Sequence, residues 1–346
     1  MQLPSGLFWT TILNMDWDIL GHTWAVALLK SHILQGQVRH AYLITGPRGV
    51  GRRTLALRLA QALNCPTPAA PGEPCLACLV CRQIEQMQFA DLSVVQAEKV
   101  GGTLKIEQVR ALQHELALTP YQAKRRIALL LRFEEAHNSA ANALLKTLEE
   151  PPGDAILLVT AESLESLPPT IVSRCEVLRL RPLPLELAQR GLEERWKLEP
   201  AQAELLAHLS GGRLGVALQY VRDENRLPQR QAWLEGLWEL LGADRAARFA
   251  KAEAMAKDKS VLQENLLVWA AFWRDVQLCT LGAKVPLVNL DWREQVEWTA
   301  KRLNPRQAAA VLTAAQRTLD DLTRNVNARL AVEVLMLDMP YLSKPN

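Results

Sequence analysis

Short apolar runs alternate with stretches of helical periodicity over the first half of the chain, and this alternation limits the possible folds more than any other feature. Five runs are predicted to be buried strands, at residues 41–45, 92–95, 127–131, 155–160 and 176–180. Three stretches carry apolar residues at helical spacing, at residues 55–63, 106–118 and 140–150. Because strands that alternate with helices usually pair in parallel, the sequence predicts an α/β domain with an open parallel sheet.

The strand pattern stops after Pro182 and Pro184, and the rest of the chain is helical in pattern. Glycine and proline residues interrupt it, and we predict a small helical unit over residues 183–225 and a larger bundle, rich in Leu, Ala and Trp, over residues 226–346. The α/β domain then occupies residues 15–182. Residues 1–14 are predicted to be a poorly ordered extension or a mis-called start, with Met15 as the true first residue.

Composition excludes several classes of protein. The 346 residues exceed a single domain of roughly 100 to 200 residues. Hydrophobic residues make up 49% and charged residues 22%, which is typical of a globular protein. A net charge of +3 is too small for nucleic-acid binding by bulk electrostatics, so any such contact needs a local patch. Because no apolar run is long enough to span a membrane and no Lys or Arg precedes Lys30, we predict a soluble cytoplasmic protein.

A glycine-rich segment, GPRGVGRRT, links the first predicted strand to the helix that follows it. Gly46, Gly49 and Gly51 let consecutive backbone N–H groups turn toward an anion, and the N-terminus of the helix adds its own partial positive charge. A strand, a loop and a helix in this order are the context of a phosphate-binding loop. The segment therefore has the backbone of a nucleotide site.

The side chains of this loop do not match an active ATPase. An active loop needs Lys and then Ser or Thr after the last glycine, to reach the β- and γ-phosphates and to bind Mg²⁺. Here these positions hold Arg52 and Arg53, and Thr54 could supply a hydroxyl only if the loop shifted by one residue. We predict that this site does not hydrolyse ATP. Two alternatives stay open, namely ATP binding without hydrolysis and a glycine turn that holds no ligand.

An acidic pair, Glu134 and Glu135, follows the third predicted strand. A hydrolytic ATPase ends this strand with acidic residues that bind Mg²⁺ and handle the attacking water. The first acid is usually Asp, and the turn before the next helix is short. We interpret the pair as a degenerate copy of that catalytic site.

Four cysteines, Cys65, Cys75, Cys78 and Cys81, lie close together in the sequence. Four thiolates can complete a tetrahedral zinc site, and no position is then left for a reactive water. In a cytosolic protein, such a cluster favours a metal over disulfides. We therefore predict a structural zinc module over residues 65–81, with free cysteines on a helix as the alternative.

Several longer motifs, taken together, resemble one known family. They are the segment WDILGHTWAVALLKSHILQGQVRHAYLITGPRGVG, the cysteine insertion after LAQALNC, the run NALLKTLEEPP and the triplet SRC. In this order they resemble the gamma and delta prime subunits of bacterial DNA polymerase III clamp loaders. The resemblance is close over residues 16–220 and looser over the helical remainder.

The resemblance implies an AAA+ α/β domain with the zinc module, a small helical lid domain and a C-terminal helical collar that assembles a hetero-oligomeric, pentameric ring with gamma/tau and delta subunits. It implies that Arg174 of the SRC triplet reaches the γ-phosphate of ATP bound by the next subunit, as an arginine finger in trans. Thr160 and Arg213 match the sensor 1 and sensor 2 positions. The implied substrates of the assembly are the sliding clamp and primed DNA, which is contacted through its phosphate backbone.

Within this family, a departure from the active loop sequence favours a delta prime type of subunit, which takes part in the DNA polymerase III holoenzyme without being an ATPase by itself. One alternative is a catalytically active gamma/tau-type subunit, or another ring-forming ATPase that acts on DNA. Another is a zinc-dependent nucleic-acid-binding protein. Turnover of ATP by the isolated chain distinguishes the first alternative, and DNA affinity after zinc removal distinguishes the second.

Overall fold

The computed structural model of the protein describes residues 16–324 and 326–343. The predictions for residues 1–14 and Met15 lie outside the described residues. The chain divides into two compact units. The first comprises the described residues up to Leu187 together with Arg213–Gly215, and the second comprises Ala188–Gly212 and the described residues from Val216 onward. Within the described ranges, no helix combines the length and the apolar character that crossing a membrane requires.

The first unit is built on a five-stranded parallel sheet. Its strands are β1 (Ala41–Thr45), β2 (Leu92–Val95), β3 (Ile127–Leu130), β4 (Ile156–Ala161) and β5 (Glu176–Arg179). Their order across the sheet is β2-β3-β4-β1-β5, and every neighbouring pair is parallel. The predicted α/β fold is thus confirmed. The strand boundaries differ from the prediction by one residue at most.

Helices cover both faces of this sheet. They are α1 (Thr23–Leu34), α2 (Arg52–Asn64), α3 (Leu79–Glu85), α4 (Ile106–Leu116), α5 (Asn138–Glu149) and α6 (Pro169–Val172), and short 3₁₀ turns lie at Asp16–Asp18 and Phe133–Glu135. Successive strand residues point to opposite faces. Tyr42 and Ile44 accordingly pack in one core with residues of α1 and α2, whereas Leu43 packs in a second core with residues of α4 and α5.

From Pro182 onward the described chain is helical, as predicted. Its helices are α7 (Leu185–Trp196), α8 (Pro200–Ser210), α9 (Leu214–Arg222), α10 (Arg226–Leu241), α11 (Arg245–Met255), α12 (Lys259–Thr280), α13 (Arg293–Ala300), α14 (Pro305–Thr323) and α15 (Ala328–Asp338), with a 3₁₀ turn at Leu290–Trp292. Trp269, Phe272 and Trp273 of α12 are buried at the centre of the second unit. This unit therefore has a hydrophobic core of its own.

Buried polar residues connect helices of the second unit. Asp275 is fully buried and accepts hydrogen bonds from the backbone N–H groups of Val288 and Asn289 and from the Asn289 side chain. The Asn289 side chain in turn accepts a bond of 2.6 Å from Arg230, which also pairs with Asp291. Because each buried group has a partner, the network fixes the segment before α13 against α10 and α12.

Candidate functional sites

The glycine loop lies between β1 and α2, where the sequence places it. Gly46, Gly49 and Gly51 have φ angles of 145°, 80° and 108°, which favour glycine. A Cβ atom at Gly46 would lie 2.5 Å from the carbonyl oxygen of Leu180. Gly51 is the N-cap of α2 and offers no side chain to the first-turn N–H groups. The loop thus has the backbone shape of a phosphate site.

Residues 213–215 pack directly on this loop. The backbone N–H of Gly215 donates to the carbonyl oxygen of Gly49 over 2.8 Å. A Cβ atom at Gly215 would lie 2.9 Å from the Gly49 Cα atom, so only glycine allows this approach. Arg213, the candidate sensor 2 residue, precedes Gly215 by two positions. The structure therefore brings the backbone of this segment against the glycine loop.

Arg52 turns inward toward one of the two candidate catalytic acids. Its Nη1 atom lies 4.0 Å from Oε1 of Glu134, and the two side chains are only 9% and 13% exposed. Burial lowers the pKa of Arg52 and raises the pKa of Glu134, because it disfavours the charged form of each. Among the described residues, neither Arg52 Nη1 nor either Glu134 carboxylate oxygen has a hydrogen-bond partner. The contact is therefore a buried charge pair without hydrogen bonds.

Arg53 and Thr54 follow Arg52 at the start of α2. Both residues are exposed on the first turn of α2. The hydroxyl that a Mg²⁺ ion would need is thus absent from position 53 and exposed at position 54. Of the three residues after Gly51, only Arg52 is buried, and it lies beside Glu134.

Glu135, the second acid, is engaged by a different arginine. Nε of Arg132 lies 3.0 Å from both Glu135 carboxylate oxygens, and the backbone N–H of Gly101 donates to the same carboxylate over 2.8 Å. The Glu135 side chain is 6% exposed. These three contacts occupy the Glu135 carboxylate within the chain. Both candidate acids therefore have arginine partners within the chain.

Thr160, the candidate sensor 1 residue, lies at the end of β4 and is buried. Its hydroxyl accepts a hydrogen bond of 3.0 Å from the backbone N–H of Arg132 and donates to the carbonyl oxygen of Leu130 over 3.4 Å. These bonds connect the ends of β3 and β4. In this arrangement Thr160 holds the segment that carries Arg132 and the two acids.

Arg174 of the SRC triplet lies between α6 and β5, on the surface. Its Nη2 atom donates to Oε1 of Glu149 over 2.6 Å. Its Nη1 atom donates to the carbonyl oxygen of Thr170 over 3.0 Å and to the Ser173 hydroxyl over 3.3 Å. The side chain is 36% exposed. The guanidinium group is thus held in one position and is still accessible to a partner.

The four predicted cysteine ligands converge, and their ligand atoms all lie within 4.8 Å of one another. Sulfur atoms around a tetrahedral zinc ion lie about 3.8 Å apart, given zinc–sulfur bonds of about 2.3 Å. The Sγ atom of Cys65 is 3.5 Å from that of Cys75 and 4.0 Å from that of Cys78, and Cys75 and Cys81 are separated by 4.0 Å. The cluster therefore has the dimensions of a metal site.

Backbone N–H groups surround these sulfur atoms. Cys78 and Cys81 donate their backbone N–H groups to the sulfur atoms of Cys75 and Cys78, over 3.3 and 3.4 Å. Donation from Ala77 and Cys78 lowers the pKa of Cys75 to about 6, whereas burial raises the pKa of Cys65. N–H donors that favour the thiolate are suited to a metal ligand.

Comparison with known proteins identifies the family. A family model described as DNA polymerase III, delta subunit, matches residues 21–184. DNA polymerase III subunit delta' of Pseudomonas aeruginosa is 38% identical over 233 residues, which cover 65% of this chain and 69% of that protein. The chain belongs to the DNA polymerase III delta' family. This confirms the resemblance that the NALLKTLEEPP and SRC motifs indicate.

Two further relatives extend the comparison over most of the chain. Subunit delta' of Bacillus subtilis is 28% identical over 315 residues, which cover 90% of this chain and 93% of that protein. DNA polymerase III subunit tau of Salmonella typhimurium is 31% identical over 323 residues, which cover 89% of this chain and 47% of tau. The chain thus spans nearly the whole of a delta' protein and about half of tau.

Sequence reasoning missed one residue beside the loop of this delta' family member. His22 lies in the WDILGHTW segment, and its Nε2 atom is 3.0 Å from the carbonyl oxygen of Val50 in the loop. Burial lowers the pKa of His22. A pocket of about 400 Å³ lies beside it, lined by His22, Trp24, Arg179, Arg181, Pro182 and Leu183. The resemblance covered His22, but its spatial partner is 28 residues away in sequence and carries no recognisable pattern.

Proposed function

We propose that this chain is the delta' subunit of a DNA polymerase III clamp loader, which helps load the sliding clamp onto primed DNA. Its membership of the delta' family is the observation that carries this proposal. Within the loader, Arg174 is the arginine finger for ATP bound by a neighbouring subunit. An arginine in trans stabilises the charge that develops on the transferred phosphoryl group. The accessible, fixed position of Arg174 supports this role.

The chain's own loop does not hydrolyse ATP in this proposal. Arg52 and Arg53 replace the residues that reach the phosphates and bind Mg²⁺. The acids that would complete the site face arginines instead, with Glu134 beside Arg52 and Glu135 bonded to Arg132. Thr160 and Arg213 then serve to hold neighbouring segments in place rather than to sense a nucleotide.

Zinc is the metal that fits the cysteine cluster, because four thiolates favour a tetrahedral, soft-ligand ion. Cys65, Cys75, Cys78 and Cys81 would hold it, and the ion would join the end of α2 to α3 as a structural cross-link. The surrounding residues keep the module in place. Gln61 donates to the carbonyl oxygen of Cys81 over 2.7 Å, and Trp17 donates to that of Gly72 over 2.8 Å.

The proposed assembly has the layout that the family resemblance implies. An AAA+ domain over residues 15–182 is followed by a lid domain over 183–225 and a collar over 226–346. The collar would join gamma/tau and delta subunits in a pentameric ring in the cytoplasm. Contact with primed DNA would involve its phosphate backbone and would weaken as salt concentration rises.

One observation favours a second candidate, a gamma/tau-type ATPase. The tau relative is 31% identical over most of this chain, and the loop glycines are retained. Steady-state ATP turnover by the isolated chain separates the two candidates. We expect no turnover above a protein-free control, whereas hydrolysis at a motor-like rate that Arg52→Ala abolishes would establish the second candidate.

Reconstitution with partner ATPase subunits tests the role of Arg174. An arginine finger contributes on the order of 10³-fold or more to the rate of phosphoryl transfer. In a complex that contains Arg174→Ala, we therefore expect the ATP site that faces this residue to stop hydrolysing ATP on the time scale of the burst. The pre-steady-state burst should then be smaller by one ATP per complex than the burst with the native chain.

Arg174→Lys is the matched control for charge. It keeps the positive charge but loses the planar, multidentate geometry, so it should recover only a small part of the burst. Both variants should assemble normally and unfold at the native temperature, because Arg174 lies on the surface. An undiminished burst with Arg174→Ala would exclude the arginine-finger role.

A further inference from the structure

An ion pair between two elements holds the guanidinium group of Arg174. Glu149, its partner, is the last residue of α5, where Pro151 and Pro152 end the helix. The Nη2–Oε1 distance of 2.6 Å is that of a strong, charge-assisted hydrogen bond. Together with the contacts to Thr170 and Ser173, it gives the guanidinium three acceptors from α5, α6 and the adjoining residue.

The position of Glu149 is unfavourable for the helix that carries it. The C-terminus of a helix has a partial negative charge, so a carboxylate in the last turn destabilises the helix. Glu150 adds a second carboxylate at the same end. An exposed ion pair also contributes little to the stability of a fold, and the Glu149 and Arg174 side chains are 52% and 36% exposed. Stability alone therefore does not account for this contact.

We propose that Glu149 is a positioning residue for Arg174, which fixes the direction of the guanidinium group toward the neighbouring subunit's ATP. This inference rests on the proposed function of Arg174. A guanidinium group has five N–H donors, and the contacts made within the described chain use three of them. Two donors remain for phosphate oxygens, so Glu149 and a γ-phosphate can bind the same group at once.

This arrangement predicts an effect on rate rather than on binding. When a reacting group is displaced by about 1 Å, the rate of the reaction falls by up to about 100-fold. Glu149→Gln keeps the size of the side chain but weakens the bond to Arg174, since a neutral acceptor replaces a carboxylate. We expect hydrolysis at the site that Arg174 serves to slow by about 10- to 100-fold, with the KM for ATP changed by less than about twofold.

The experiment uses the reconstituted loader with ATP and measures single-turnover hydrolysis and KM. Its arms are the native chain, Glu149→Gln, Glu149→Asp, Glu150→Gln, Arg174→Ala and the double variant Glu149→Gln/Arg174→Ala. Glu150→Gln is the matched control, because Glu150 lies at the same helix end and no ion pair to it is found in the described chain. We expect native rates with Glu150→Gln, partial recovery with Glu149→Asp, and a double variant no slower than Arg174→Ala.

The arms separate this inference from the function on which it rests. If Arg174→Ala slows hydrolysis and Glu149→Gln does not, the positioning role is excluded and the arginine finger stands. If Arg174→Ala has no effect, the proposed arginine-finger role fails and the inference with it. Faster hydrolysis with Glu149→Gln, or a further loss in the double variant, would also overturn the inference, because Glu149 would then restrain Arg174 or act elsewhere.

Discussion

Two arginines face the acids that an ATPase would use on its own nucleotide. Arg52 lies beside Glu134, and Arg132 is bonded to Glu135. In a working site, Mg²⁺ and the ammonium group of a lysine bring positive charge to this region. Here permanent side-chain charges provide it, so the buried carboxylates are compensated without a nucleotide. The two arginines and the two acids therefore form one charge-compensated arrangement within the chain.

Removing only one member of the buried pair should destabilise the protein. With Arg52→Met, Glu134 loses its compensating charge, and we expect the free energy of unfolding to fall by about 3 kcal/mol at neutral pH. The double variant Arg52→Met/Glu134→Gln removes both charges and should recover most of this loss. Urea unfolding measures it. Arg53→Met, exposed on the same helical turn, is the control, and an equal loss there would contradict the explanation.

The stability of the Arg52→Met variant should depend on pH in a predictable direction. Burial raises the pKa of Glu134, and the charge of Arg52 partly opposes that effect, so Arg52→Met should raise this pKa further. The folded-state pKa of Glu134 then lies above its unfolded value of about 4.3. The contribution of this group to the free energy of unfolding is therefore fully present below the unfolded value and is lost as the pH rises through the folded-state pKa.

The stability deficit of Arg52→Met should therefore be small near pH 4 and grow toward pH 8. Unfolding of Arg52→Met and of Arg52→Met/Glu134→Gln at each pH isolates this effect, because every other titrating group is common to both proteins. A deficit that is independent of pH, or that shrinks as pH rises, would show that Glu134 is not the group responsible.

At the level of elements, the cysteine module connects α2 and α3 through four sulfur atoms. Between Cys65 and Cys78 the chain forms no helix and only an isolated bridge between Ala70 and Glu73, as far as the described residues show. Because this segment has few regular hydrogen bonds, its folded conformation depends on other cross-links. A bound zinc ion would supply them, since the binding energy of a structural metal is also folding energy.

Loss of one ligand should therefore remove the metal and loosen the module. Cys78→Ser is expected to reduce bound zinc from one ion per chain to none, and to lower the free energy of unfolding by a few kcal/mol. Elemental analysis and thermal unfolding measure the two effects. Cys279→Ser, outside the cluster, should leave the zinc content at one ion per chain, and full zinc occupancy in Cys78→Ser would contradict the proposed ligand set.

The strands were predictable because each is a short run rich in apolar residues. The central strands β1, β3 and β4 are buried on both faces, whereas the edge strands β2 and β5 are only partly buried. Their order, β2-β3-β4-β1-β5, was not predicted, because periodicity within a strand carries no information about its neighbours. The candidate site residues were found through motifs in the loop, the acids and SRC. Their partners, such as Glu149 for Arg174, were missed because the two residues lie 25 positions apart in sequence and only the fold brings them into contact.

At the level of the whole molecule, each compact unit has its own buried core and its own candidate role. The first unit carries the glycine loop, Arg174 and the cysteine cluster, and the second contains most of the proposed lid and collar. Separate cores allow one unit to be weakened while the other stays folded. The two proposed roles, supply of Arg174 and assembly, should therefore be separable by mutation.

Asp275 is the residue with which to test this separation. It accepts hydrogen bonds from three N–H donors of Val288 and Asn289, of which the two from Asn289 are buried. Asp275→Ala would leave those donors unpaired, at about 1–3 kcal/mol each. We expect the second unit to lose cooperative folding and the chain to fail to co-elute with partner clamp-loader subunits in gel filtration, because the proposed collar would be lost.

Zinc content reports on the first unit in the same sample, and we expect it to stay at one ion per chain in Asp275→Ala. Glu264→Ala is the control, since Glu264 is exposed on the same helix, α12, and its loss should affect neither assembly nor zinc. If Asp275→Ala assembles normally although its second unit is unfolded, assembly does not require the proposed collar. If zinc is lost together with assembly, the two units do not fold independently, and Arg174 and the collar cannot be separated in this way.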